Sequence, residues 1–224
     1  MPELGRSVPV SVVDVANACV FFPAEVLGWR GTEGPGGAAR PPRRSDAIRR
    51  RAAELVGLPS EGLVPIPVAV VPPAEYRTVQ GQTVREDESE LLVRLPGGRP
   101  LSLHKAFAAT AAAATAVAAP LPGSVAAEVS RAQDAETVVL GHPSGTFPVR
   151  VRVTRAGDAW HVERATYSRT ARRLMEGYAF VKAAVFAELG QSGGACTGTG
   201  PPSKSSTTLP SRNQLSGARC PHRV

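Results

Sequence analysis

The sequence predicts an α+β fold in which a curved, mostly antiparallel sheet wraps around one central helix. Three observations carry that prediction. A run of small residues extends from Ser102 to Ala119 and closes at Pro120, short β-branched segments lie on both sides of it, and Phe147 to Thr154 alternates strictly between apolar and polar. Alanine has the best intrinsic helix propensity and proline cannot continue a helix interior, so 103–119 reads as one helix with a hard stop. A helix of that length spans about 24 Å, and one whose sides are nearly all methyl groups has no polar face to give to water. It has to be sheathed by strands.

The start of that helix is chemically different. Ser102 is a candidate N-cap, and His104 and Lys105 fall in or beside the first turn. A cation at the positive end of a helix dipole is unfavourable by about 0.3–1 kcal/mol unless something negative lies nearby. Two readings stand: an anion site at this end, or a close-packing device whose Lys105 extends to water. Residues 106–127 carry no charge. Alanine gives little membrane-insertion signal, however, and Pro120 and Pro122 interrupt the span, which excludes a transmembrane helix.

The remaining elements follow in order. Residues 8–15 are β-branched and strand-like, and Asn17 to Phe22 continues the extended character after a bend. Residues 31–44, rich in Gly, Pro and Arg, form a loop. Ser45 opens a helix with Ile48, Ala52, Leu55 and Val56 on one face, Arg49, Arg50 and Glu54 largely towards water, and Gly57 as its stop. Ile66 to Val71 is a strand in which Pro67 favours an edge or first position. Residues 72–90 are polar and turn-rich; 91–95 and 99–103 are short strands flanking Gly97 and Gly98. Thr137 to Leu140 is a strand, and Phe147–Thr154 pairs with Trp160–Thr166 through a turn at 156–158. A last helix starts near Thr170, with Leu174, Tyr178, Val181 and Val185 on its apolar face. From Gly190 periodicity ends, and residues 190–224 are expected to be a disordered tail unrelated to the domain over 1–189.

Composition excludes several functions. The net charge of +7 comes largely from Arg43, Arg44, Arg49, Arg50 and Arg51 and from Lys204, Arg212, Arg219 and Arg223. Those clusters lack the interleaved aromatics or module signature of a nucleic-acid binder. Cys19, Cys196 and Cys220 form neither ligand spacing nor a disulfide framework, which fits a reducing cytoplasm. Asp14 and Asn17 break the apolar stretch from Val8 to Phe22, so it is not an export signal. No His, Cys, Asp and Glu pattern has metal spacing, and there is no phosphate loop.

The chemistry-bearing residues are few. Gly141-His-Pro-Ser-Gly-Thr146 lies between two strands. A serine-hydrolase elbow needs glycine two residues before and two after its serine; here the glycines lie three before and one after Ser144. The segment is either an ordinary proline turn or a backbone cradle in which Ser144, Gly145 and Thr146 face a carboxylate. Asn17 either bonds to backbone at a bend or faces a ligand. His104 and His142 are either a proton-transfer pair or locally satisfied histidines.

Five blocks, in order, then resemble one family: 13–21 around Asn17, Ser102 to Phe107, Leu121 to Ser124, Gly141 to Gly145, and Ser168 to Tyr178. They are similar to the PrpF family, the methylaconitate isomerases and oxalomesaconate tautomerases, related in fold to diaminopimelate epimerase. The resemblance implies two similar halves, each a barrel-like sheet around a central helix, with substrate between them and helix N-termini facing its carboxylates. It implies a cofactor-independent 1,3-proton shift on an unsaturated di- or tricarboxylate. It also implies that the proton-transferring Cys and Lys belong to the first half, which this chain lacks. Where the related epimerase carries its second cysteine, this chain has only Ala and Thr; Cys19 lies in a different motif, and Ala18 replaces a proline common there. The expectation is a C-terminal half that binds carboxylate through Asn17, Ser102, His104, Lys105, His142, Ser144, Gly145 and Thr146 and works with a missing first half; a second copy could associate with it but would still lack the base. The alternative is a non-catalytic truncated domain that at most binds carboxylates.

Overall fold

The computed structural model describes residues 7–34, 42–97, 102–132, 135–157, 159–169, 171–177 and 222–223. It is an α+β structure built on one eight-stranded sheet. In chain order the larger strands are β1 (Pro9–Asp14), β2 (Ala18–Pro23) and β3 (Ile66–Val71). Small pieces follow: β4 (Tyr76–Arg77), β5 (Thr83–Val84), β6 (Leu91–Arg94), β7 (Pro96–Gly97) and β8 (Ser102–Leu103). The sheet is completed by β9 (Thr137–His142), β10 (Gly145–Ala156), β11 (Ala159–Thr166) and the two-residue β12 (His222–Arg223). Its order is β11-β10-β9-β6-β3-β2-β1-β12, with parallel junctions at β2–β3 and β6–β9 and antiparallel pairing elsewhere. The pieces β4–β5 and β7–β8 pair as separate ribbons.

The helices are α1 (Pro42–Leu55), α2 (Ala109–Ala118) and α3 (Val125–Val129). Residues 111–119 have at most 4% of their surface exposed. Strands from both flanks of the sheet, β10 and β11 on one side and β1 and β2 on the other, pack on α2, so the sheet curls around it. Alanine makes this possible, because methyl side chains let strand residues such as Phe21, Val93, Leu140 and Val149 approach the helix closely. Buried Thr115 turns its hydroxyl back to the Ala111 carbonyl at 2.7 Å and so demands no partner from the sheath.

The other face of the sheet packs Val20, Phe22 and Ala69 against Ile48 and Ala52 of α1. That helix opens at Pro42, three residues before the expected Ser45, in keeping with the tolerance of proline at a helix start. It ends as expected at Gly57, whose φ of +73° and the Leu58 N–H to Ala53 carbonyl bond of 2.8 Å close the last turn. Arg49 departs from its expected place in water. It is buried, ion-paired to Asp46 at 2.8 Å, and its Nη1 lies 3.5 Å from the Val64 carbonyl.

Pro67 sits within β3 rather than at its first position. It pairs with β2, whereas β6 joins only from Ala69 onward, so the missing N–H faces a side with no strand partner. The predicted central helix is shorter than 103–119. Residues 102–103 are spent on the β7–β8 ribbon, the His104 N–H donates to the Leu95 carbonyl at 3.0 Å, and the helix begins only at Ala109.

Arg169–Gln214 forms a unit of its own. Its described residues 171–177 are irregular rather than helical, with Leu174 and Met175 79% and 88% exposed. An amphipathic helix is held mainly by burial of its apolar face, and Leu174 has none. Tyr178, Val181 and Val185 lie outside the described residues, as does the tail from 190 apart from β12.

Candidate carboxylate site

The hairpin joining β9 to β10 is the most constrained part of the site. Its last ladder pair is His142 with Gly145, leaving Pro143 and Ser144 as a two-residue turn. Pro143 presets φ for a turn, and Gly145 adopts φ +133°, a value that L side chains rarely take. The Ser144 N–H donates to His142 Nδ1 at 3.2 Å, and Ser144 Oγ donates to the Lys105 carbonyl at 2.5 Å. That second bond clips the hairpin to the segment leading into α2. Thr146, opposite Gly141, is exposed.

His142 is 7% exposed and lies 6.4 Å, edge to face, from Phe147. Burial first, and the nearby Arg94 guanidinium second, push its imidazolium down to about 4. The ring is therefore neutral at physiological pH, with Nδ1 as acceptor and the proton on Nε2.

At the helix start the backbone carries the chemistry. Ala108 is the N-cap residue, extended at φ −68° and ψ 130°, and no side chain caps the helix. The first N–H groups of α2 therefore lack intrahelical partners and sit at the positive end of its dipole. Asn17, in the bend between β1 and β2, donates Nδ2 to Thr110 Oγ1 at 3.0 Å. Neither of its two expected fates is quite what is seen: it reaches across to the helix start. Cys19 is buried, lies 3.5 Å through its sulfur from the Asn17 carbonyl, and has its thiol pushed up to about 12 by burial and then by Asp14. Burial and the raised value hold it from the thiolate that a nucleophile or base requires.

Of the eight expected residues, Lys105, His142, Ser144 and Gly145 are brought together by the hairpin and its clip, with Thr146 next along β10. Asn17 holds the helix start. Ser102 is not an N-cap: it lies in β8 opposite Gly97, and Ala108 occupies the N-cap position. His104 and Lys105 precede the helix by several residues, so no cation sits in its first turn. His104 turns Nδ1 onto Ala106, 2.8 Å from its carbonyl and 3.2 Å from its N–H. Both histidines are thus satisfied locally, and no hydrogen bond joins them among the described residues. Ser124, from the third block, caps α3 through the Ala127 N–H at 3.0 Å and donates to the Ala118 carbonyl at 2.6 Å.

Three residues escaped the sequence reading. Thr110 is the partner of Asn17, and Tyr76 and Arg94 lie behind the hairpin. The one available signal was an arginine inside the otherwise apolar run 91–95. A cleft lined by Pro120, Pro122, Glu136, Arg152, Val153 and Trp160 lies at the other end of α2. A helix C-terminus presents carbonyls, which disfavour a carboxylate there.

Comparison with known proteins identifies the family. A family model described as PrpF protein matches residues 2–182. The chain belongs to the PrpF family. It is 36% identical over 190 residues to a 3-methylitaconate isomerase of Eubacterium barkeri, covering 79% of this chain and 48% of that protein. It is 34% identical over 191 residues to a 2-methyl-aconitate isomerase of Shewanella oneidensis, covering 80% and 47%. The crystal structure of a methylitaconate-delta-isomerase superposes with a TM-score of 0.66 at 36% identity, over 78% of this chain and 47% of that one. The chain thus spans about half the length of these PrpF relatives.

Proposed function

We propose that this chain is the carboxylate-holding half of a PrpF-type isomerase that moves a double bond in an aconitate-like unsaturated polycarboxylate. The 1,3-proton shift takes a proton from the allylic carbon, spreads the resulting charge through the double bond into an adjoining carboxylate, and returns a proton to the far carbon. Such a reaction needs a base, an acid and fixed donors beside that carboxylate. The observation that carries the reading is the Ser144–Lys105 clip, which ties the glycine hairpin to the segment that runs into the uncapped start of α2. Helix-start amides, the exposed Thr146 and the exposed Lys105 are donors and charge of the sign a polycarboxylate requires.

This chain's own titratable groups argue that base and acid come from elsewhere. His142 is neutral with Nδ1 occupied, and Cys19 is a buried thiol held far from ionisation. The base and acid would then belong to the other half of a PrpF-type fold, the part of the relatives' length that this chain does not span. The cysteine pattern supports placing the protein in a reducing cytoplasm; among the described residues no helix is long and apolar enough to cross a membrane. The names of the relatives, methylitaconate and methylaconitate isomerases, support the substrate class.

Titration of the 15N-labelled chain with cis-aconitate tests this reading. Amides of Ser144, Gly145 and Thr146 should shift together with those of Ala109 to Ala111. Shifts confined to the cleft around Arg152 and Trp160, or no shifts, would refute it.

A further inference from the structure

The carbonyl groups of the hairpin are gripped from behind. Arg94 Nη1 donates to the Gly141 carbonyl at 3.3 Å, the Val79 N–H to the Pro143 carbonyl at 2.8 Å, and the Tyr76 hydroxyl to the Gly145 carbonyl at 2.5 Å. The three acceptors are alternate residues spanning the turn, and all three donors come from residues 76–94. Gly141 has to be glycine for this packing: a Cβ there would lie 2.4 Å from Leu92 Cδ2 and 3.2 Å from Tyr76 Cε1.

The donors are themselves locked. Arg94 is 1% exposed, its guanidinium carbon lies 5.1 Å from the centroid of the Tyr76 ring, and Nε and Nη1 reach the Glu33 and Val93 carbonyls at 3.1 and 2.8 Å. Its Nη2 has no hydrogen-bond partner among the described residues, and no carboxylate is ion-paired to it there. Glu33 bears on it electrostatically without a direct ion pair, and burial holds the guanidinium below its ordinary range, so this buried cation is costly to keep. Its positive charge lies at the Gly141 carbonyl leading into the turn and bears on the His142 ring. Tyr76 is buried as well, and burial raises its hydroxyl above the ordinary tyrosine range, so it remains a donor.

We infer that Tyr76 and Arg94 are positioning residues for the carboxylate hairpin, fixing its carbonyls so that the turn and the exposed Thr146 beside it keep one conformation at the ligand. This rests on the carboxylate reading of the hairpin. The grip substitutes fixed hydrogen bonds for reorganisation that binding would otherwise require, which is how a preorganised anion cradle gains affinity.

Tyr76→Phe is the cleanest probe, because it removes one hydroxyl and keeps the ring beneath Arg94. Calorimetric titration with cis-aconitate should show Kd raised about fivefold, and the thermal midpoint should fall by a few degrees because the same hydrogen bond is present without ligand. Hydrogen exchange at Ser144, Gly145 and Thr146 should accelerate severalfold in the unliganded variant. Arg94→Gln, which keeps an amide donor for Gly141 but removes the charge, should weaken binding at least as much. The double variant should lose less than the product of the two single losses, because both residues hold one turn. An unchanged Kd in Tyr76→Phe, unchanged hairpin exchange, or fully multiplicative losses would each overturn the inference. Failure of the unsubstituted chain to bind aconitate would count against the carboxylate reading instead, with the exchange rates still deciding whether the grip exists.

Discussion

Acidification should destabilise this protein through His142 in a way that one substitution isolates. The imidazole is buried behind Ser144 and near Arg94, and its folded-state value is lowered to about 4 from 6.5. Between those values the unfolded chain holds a proton that the folded chain does not, so stability rises with pH across the window. The contribution is complete above about 6.5 and is lost as pH falls towards 4. At about 1.4 kcal/mol for each unit the full displacement amounts to about 3.4 kcal/mol, and solvent relaxation at a surface hairpin reduces this to about 2 kcal/mol. Urea unfolding of the natural chain and of His142→Asn, each at neutral pH and near pH 4, measures it. The variant carries the same carboxylates, so their titration cancels in the comparison. The stability gap between the two proteins should narrow by about 2 kcal/mol on acidification. A constant gap, or a His142 Hε1 resonance titrating near 6.5, would refute the assignment of a buried neutral ring.

Two further outcomes follow from the core. Ala114→Leu places a branched side chain at a position with no exposed surface, inside the sheath of α2, and should cost about 1–3 kcal/mol, lowering the thermal midpoint by several degrees; an unchanged midpoint would show that the sheath is loose. Cys19 should resist alkylation at mildly alkaline pH until denaturant is added, as read by mass spectrometry of the peptide that contains it; rapid modification in the folded protein would contradict a thiol pushed up to about 12.

Much of the architecture was legible because its signals are local. The alternation of Val149, Val151 and Val153 becomes the inward face of β10, and the alanine run becomes the buried helix. The helix start was misplaced because its limits are set by distant partners. Propensity favours helix from Leu103, yet the Leu95 carbonyl claims the His104 N–H and the Ser144 hydroxyl claims the Lys105 carbonyl. The same applies to Arg49, which amphipathic spacing assigns to water but whose guanidinium reaches the Val64 carbonyl.

The candidate site divides along the same line. The glycines and proline of 141–146 announce a turn, and the turn is there. Arg94 and Tyr76 are 47 and 69 residues from the carbonyls they hold, and Asn17 is 93 residues from Thr110. Tyr76 comes from a segment that reads only as polar and turn-rich, because nothing in its own neighbourhood tells that the β4–β5 ribbon will close over β6. Long-range hydrogen bonds to backbone leave no trace in local periodicity.

This chain is proposed to hold an unsaturated polycarboxylate without moving its proton. Incubating the purified chain with cis-aconitate or 2-methylaconitate in deuterated water, and following the ligand by NMR, tests both parts together. Line broadening of the ligand with no deuterium incorporation and no double-bond migration is the predicted result. Incorporation of deuterium by this chain alone would contradict it and would place a working base among the residues of this half.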